Sequence, residues 1–270
     1  MLYVIILAHL LGDYLFQWGF IARWKARSLV GVLVHGGIVT ITTLACAALV
    51  EPAWWPYAAL IGLAHTAIDL VRTRFLRAPD SSWELAWYLL DQLAHLTVIL
   101  LVVAWSDGCL IPISQDQHVG QTTVLSHIPQ SIERARVATL RPVLTIVAGL
   151  LTDSRVLAYT IGYLLLLNPA WVFFRFMVRG VWGSTAAPHL GQGEKYGPMM
   201  ERVLVASLVL VGQAHLIPVV LLPRRVASIR VQGGGVGVLI RPASHWAETI
   251  LSVSLAVVVG LVLRVVTVGG

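Results

Sequence analysis

Apolar positions along the chain gather into long blocks, and four of them, Met1 to Phe20, Leu29 to Val50, Ala53 to Leu76 and Leu85 to Trp105, fill the first 105 residues. A block of about 20 residues is long enough to cross a bilayer as one helix. Further blocks follow at Val156 to Val178, Val203 to Leu222 and Thr249 to Thr267, while Pro142 to Leu151 is too short to cross and is expected to lie along the interface. Between Ser106 and Arg141 the chain turns polar, as in an exposed loop. The pattern predicts an all-α fold, a polytopic membrane helix bundle of about seven transmembrane helices. Residues 1–105 are expected to form a four-helix bundle, 106–141 a polar loop or linker, and 142–270 a C-terminal membrane region of about three spans. The glycine-rich run Val231 to Ile240 suits either a small hairpin or a flexible connection.

Composition agrees with this pattern. Of 270 residues, 57% are hydrophobic and 12% charged, against about 25% charged in a soluble domain. That excludes an ordinary cytosolic enzyme. Cys46 and Cys109 provide neither a disulfide framework nor a C-x-x-C metal site. The net charge of +6 comes mainly from Lys and Arg in short loops, so a nucleic-acid partner is not expected. Arg23, Lys25 and Arg27 occupy the first connection and Arg72, Arg74 and Arg77 the third, whereas Glu51 to Pro52 has no basic residue. By the positive-inside rule the first and third connections are cytoplasmic and the N-terminus lies outside. Seven spans would put Arg224, Arg225, Arg230 and Arg241 outside, against that rule, so the C-terminal topology stays open. The first block begins at Met1 without a basic leader and contains His9 and Asp13, which suits a retained span better than a cleaved signal. Trp18, Trp24, Trp54, Trp55, Trp105, Trp171 and Trp182 flank the blocks as an aromatic belt would.

Ionisable residues inside spans cost roughly 2.5 to 3.5 kcal/mol each near the bilayer centre, so they usually face a bundle interior and serve a function. The first four blocks hold His9, Asp13, His35, His65, Asp69, Asp91 and His95. His9 and Asp13, His65 and Asp69, and Asp91 and His95 are each four apart, which puts both members on one helix face. Counted from the cytoplasmic ends, the histidines of these pairs fall about eleven residues in and the aspartates about seven, or roughly 10 Å. The order reverses to Asp-x-x-x-His in the fourth block, as antiparallel helices sharing one site require. His35 reaches the aspartate layer.

Imidazole with carboxylate is a suitable ligand set for one or two divalent transition metals, Zn, Mn or Fe. The alternatives are a cation or proton path, and hydrogen-bonded polar glue. Gln17, on the face of Asp13, and Gln92, near His95, are candidates for orienting ligands. Arg23 and Lys25, at the cytoplasmic mouth, are candidates for holding an anionic head group or substrate phosphate. Glu201 is expected in an ion pair, and His118, His127, His189 and His245 in loops or at the interface. No H-E-x-x-H, G-x-S-x-G or phosphate-loop motif occurs. His65 and Asp69 match the tail of the lipid-phosphate phosphatase signature, whose other elements are absent.

The segments AHLLGDYLFQ (Ala8 to Gln17), Lys25, His35, AHTAID (Ala64 to Asp69) and DQLAH (Asp91 to His95) resemble an uncharacterised family of bacterial membrane proteins catalogued as a domain of unknown function. The likeness extends more weakly through GYLLLLNP (Gly162 to Pro169), Lys195 to Gln213 and ETILS (Glu248 to Ser252). It implies a multi-pass helical protein of the bacterial inner membrane and no established reaction. AHLLGD and AHTAID are themselves alike, which hints at a duplicated helical hairpin. The expected function is that of an integral membrane metalloprotein, a metal-dependent hydrolase acting on a lipid-linked or membrane-embedded substrate. His9, Asp13, His35, His65, Asp69, Asp91 and His95 would share metal ligation, with one of Asp13, Asp69 and Asp91 free as catalytic base. A cation or proton transporter and a non-catalytic membrane partner are the alternatives, and no residue speaks to oligomeric state.

Overall fold

The structure is a computed structural model describing residues 1–75, 83–108, 142–182, 196–222 and 242–268. Among these residues every regular element is helical, so the all-α expectation holds. α1 (Leu2–Leu10) runs into one π-helical turn, Leu11–Leu15, closed by the bond from the Phe16 amide to the Leu11 carbonyl at 2.8 Å. The chain then bends by 87° into the short α2 (Gly19–Lys25). α3 (Leu29–Val50) starts at Ser28, whose hydroxyl accepts the Gly31 amide at 3.0 Å and so satisfies one orphan donor of the first turn. It stops before Pro52, because the residue preceding a proline is pushed out of the helical region; Glu51 is extended. A 3₁₀ turn (Pro52–Trp54) leads into α4 (Trp55–Phe75), and α5 (Glu84–Gly108) completes the first half.

These helices close into a ring. α1 packs on α3, α3 on α4, α4 on α5, and α5 returns to α1. The α3–α4 seam is tight because two glycine–threonine steps interlock. A side chain on Gly36 would collide with Thr66, and one on Gly62 with Thr40. Each threonine returns its hydroxyl proton to its own helix, Thr40 to the Gly36 carbonyl at 2.7 Å and Thr66 to that of Gly62 at 2.8 Å. Small residues and internally satisfied hydroxyls are how helices approach closely where no water competes.

The second half begins with α6 (Pro142–Thr152), a short apolar helix whose Leu151 packs with Val4 and Leu7 of α1. α7 (Ser154–Leu166) is capped by Asp153, which accepts the Arg155 and Val156 amides, and α8 (Asn168–Trp182) follows after a break at Leu167. The break frees the Leu166 carbonyl, which takes the buried Arg202 Nε–H at 2.7 Å. α9 (Tyr196–Leu210) pairs with α10 (Pro242–Val268), while α7 rests on α1 and α8 on α5.

Four helices are long and apolar enough to cross a membrane: Leu29–Val50, Glu84–Asp107, Ser154–Val178 and Ala247–Val266. The bent pair Leu2–Leu15 and Gly19–Lys25 makes five if it counts as one span. The expected seven is therefore not reached among the described residues. The first block bends, the helix of the third is diluted by His65, Asp69, Arg72 and Arg74, and the sixth breaks after Leu210 where Gly212 adopts φ 79°. Pro142–Thr152 is, as expected, too short to span. Residues 76–82, 109–141, 183–195, 223–241 and 269–270 lie outside the described residues, as does the side chain of His245; with them go Arg77, Cys109, His118, His127, His189, the loop arginines and the Val231 to Ile240 run.

The bundle is apolar outward and polar inward. Leu63, Leu93 and Leu101 are more than half exposed on the helices that bury His65, Asp69 and His95. So large an apolar surface suits hydrocarbon and would be a liability in water.

Candidate functional site

The ring puts His9, Asp13, His35, His65, Asp69, Asp91 and His95 into its interior, all seven buried. α1 carries His9 and its π-turn carries Asp13; α3 carries His35, α4 carries His65 and Asp69, and α5 carries Asp91 and His95. A π-turn inserts one residue per turn, which rotates the residues beyond it about the helix axis and often marks a functional position. Here it coincides with Asp13, whose Oδ1 lies 3.1 Å from His35 Nε2.

Four atoms converge. His35 Nε2 lies 3.1 Å from Asp13 Oδ1, 3.3 Å from His65 Nε2 and 3.5 Å from Asp69 Oδ2, and His65 Nε2 lies 3.2 Å from Asp69 Oδ2. Ligands set about 2.1 Å from one ion at tetrahedral angles stand roughly 3.4 Å apart, and these four separations lie close to that spacing; Asp13, His35 and His65 form one metal-compatible grouping. Hydrogen bonding alone serves the arrangement poorly. A neutral imidazole offers one N–H, yet His35 Nε2 faces two carboxylate oxygens and a second ring nitrogen.

The other members surround this set. His95 Nδ1 donates to the Asp91 carbonyl at 2.8 Å, which leaves Nε2 with its lone pair, buried and without a hydrogen-bond partner among the described residues. Its ring is 4.2 Å from that of His65, and a second compatible grouping is His65, Asp69 and His95. The His9 ring lies 5.4 Å from those of His65 and His95. Asp91 stands aside: its Oδ2 accepts from Arg72 at 2.7 Å and from Gln92 at 3.1 Å, and it joins neither metal-compatible group.

The site is layered along the bundle. One turn from the histidines, four residues from each, sit Ile5, Val39, Ile61 and Ile99, none more than 2% exposed. They seal one end, and Ala47, Trp54, Ala58, Val102 and Val103 continue the apolar packing beyond. On the opposite side the aspartates meet cations. Lys25 Nζ lies 2.7 Å from Asp69 Oδ1, and Arg72 closes on Asp91. The Lys25 and Arg72 side chains are 13% and 29% exposed, whereas Asp69 is fully covered, so this is the open side of the site.

The two orienting glutamines diverge. Gln92 accepts from the Tyr14 hydroxyl at 2.8 Å and donates to Asp91, while Gln17 makes no side-chain hydrogen bond among the described residues. Arg23 is exposed on α2 and Lys25 points inward to Asp69. Arg72, Tyr14, Tyr88 and Asn168 join the site without a His/Asp four-residue spacing to mark them. Tyr14 and Tyr88 hydroxyls meet at 2.9 Å, and Asn168 Nδ2 donates to the Tyr14 carbonyl at 3.0 Å. Only Arg72, three residues after Asp69 and thus on its face, left a trace in the sequence. His215 and Gln213 are exposed just after α9, and Glu201 is partly buried within α9.

Residues 1–119 match the model of a family described as "Protein of unknown function (DUF3307)". The matched stretch contains the seven buried His and Asp residues as well as Lys25 and Arg72. No match was found among curated proteins or among solved structures.

Proposed function

We propose that the chain is a membrane-embedded metalloprotein, a metal-dependent hydrolase whose substrate is lipid-linked or lies within the membrane. The convergence of His35 Nε2, His65 Nε2, Asp13 Oδ1 and Asp69 Oδ2 at 3.1–3.5 Å carries this reading. These four residues would hold one divalent ion, with His95 and His9 beside it for a fifth contact or for a second ion. Two nitrogens and two oxygens suit Zn, Mn or Fe. Bound there, such an ion polarises a carbonyl or phosphoryl oxygen and makes water acidic.

The chain supplies the rest. Asp91 stands outside the converging set and keeps Oδ1 without a hydrogen-bond partner among the described residues, so it is the carboxylate available for proton transfer. It would take a proton from water as the oxygen attacks, and return it to the leaving alcohol when the ester bond breaks. The Ile5, Val39, Ile61 and Ile99 layer keeps bulk water from the far side. That same layer speaks against the rival reading, a cation or proton conduit, because conduction needs a polar path on both sides.

Elemental analysis of the purified protein and of His65→Ala tests the proposal. The parent should carry at least one transition metal per chain and the variant should lose it. A parent free of metal after gentle preparation would overturn the reading.

A further inference from the structure

The cationic side of the site bears on which substrate it takes. Lys25 and Arg72 enter from different elements, α2 and α4, and each uses one donor on an aspartate. An ammonium has three N–H donors and a guanidinium five. Among the described residues no other hydrogen bond or ion pair engages either group; the Arg72 guanidinium has beyond Asp91 only the Tyr88 ring, 6.0 Å from its centre. Asp69 and Arg72 are three apart on α4, so the Lys25–Asp69 and Arg72–Asp91 ion pairs are both anchored on one face of that helix. The spare donors lie at the partly exposed end, on the carboxylate side of the histidine layer.

Charge points the same way. Asp13, Asp69 and Asp91 against Lys25 and Arg72 leave one net negative charge, 2 − 3 = −1. A divalent ion at the converging atoms turns this to +1. In a low-dielectric interior an uncompensated charge is costly, so the loaded site is complementary to an anion and not to a neutral ester.

We infer that Lys25 and Arg72 form an anion-recognition pair, and that the substrate of this site bears a phosphate monoester or diphosphate group instead of a carboxylic ester alone. The inference rests on the metalloprotein reading for its charge balance. The pair keeps its aspartates and offers the remaining donors to phosphate oxygens, Arg72 through its planar fork and Lys25 as a point charge. Arg23, exposed on α2, has no part in it.

The test uses the full chain in neutral phosphatidylcholine nanodiscs, with phosphatidate as the lipid phosphate, diacylglycerol as the neutral control and inorganic phosphate as a soluble arm. Phosphatidate should bind and diacylglycerol should not. Lys25→Gln and Arg72→Gln should each weaken phosphatidate binding roughly tenfold, the value of one charge-assisted hydrogen bond. Lys25→Arg, which keeps the charge, should retain most of it and guards against a folding defect. Inorganic phosphate bound with the same dependence on both residues, without phosphatidate, also supports the pair and assigns it to a soluble phosphate. Binding unchanged in both variants, or diacylglycerol held as well as phosphatidate, overturns it. Metal content is read in the same samples. Normal metal with no anion binding refutes this inference alone, while anion binding through Lys25 in a metal-free protein refutes the metal reading and leaves the pair standing.

Discussion

Asp69 is the residue on which most of the site depends. It faces His35 and His65 through Oδ2 and Lys25 through Oδ1, and its side chain is fully covered. Replacing it with Asn keeps the shape but removes a charge, leaving the Lys25 ammonium without its partner and one ligand neutral. Because loss of an outer-shell partner alone costs 10- to 100-fold in metal affinity, Asp69→Asn should cost at least about 100-fold, measured by competition with a chelator. Affinity should also fall with pH. A metal and a proton compete for the same ligand lone pairs, so metal should be released on acidification. Metal content that stays constant down to pH 4 would contradict this.

At the scale of elements, the site exists because α3 and α4 approach closely enough to face His35 with His65. The interlocked Gly36–Thr66 and Gly62–Thr40 steps set that distance. Gly36→Leu should destabilise the fold by about 1 to 3 kcal/mol, the usual cost of overpacking, and should lower metal affinity together with stability; denaturant unfolding with parallel metal analysis would show both. A normal metal site in a Gly36→Leu protein would mean that the seam does not position the histidines. This level also shows what the sequence could and could not reveal. The four-residue spacing of His9 and Asp13, of His65 and Asp69 and of Asp91 and His95, with its reversal on α5, was enough to gather the buried residues, because helical periodicity alone decides which face they share. Hydropathy counts apolar residues and is blind to backbone breaks. The π-turn at Leu11–Leu15, the 87° bend before α2 and the turn at Gly212 were therefore invisible, and they interrupt the first and sixth expected spans. The inward turn of Lys25 depends on that bend, so its role as a partner of Asp69 was hidden as well.

Across the whole molecule, the two halves touch where it matters. Asn168, at the start of α8, donates to the Tyr14 carbonyl, and Tyr14 reaches Gln92 and hence Asp91. The carbonyl belongs to the end of the π-turn, where no intrahelical donor remains. Asn168→Ala should cost about 1 kcal/mol by removing that bond. Asn168→Asp should not rescue it, because the carboxylate lacks the amide donor; equal thermal stability of both variants and the parent would refute the link. Sequence spacing cannot foresee such a contact between residues 154 positions apart. The apolar layer of Ile5, Val39, Ile61 and Ile99 leads to another expectation: proteoliposomes should show no cation flux above empty vesicles, and a clear flux would favour transport.

X-ray absorption spectroscopy of the purified protein reads the proposed ligand shell itself. It should show one first shell of nitrogen and oxygen at about 2.0 to 2.1 Å with imidazole scattering behind it, reduced by one imidazole in His35→Ala. A sulfur shell, a purely oxygen shell, or a spectrum unchanged by His35→Ala would contradict it.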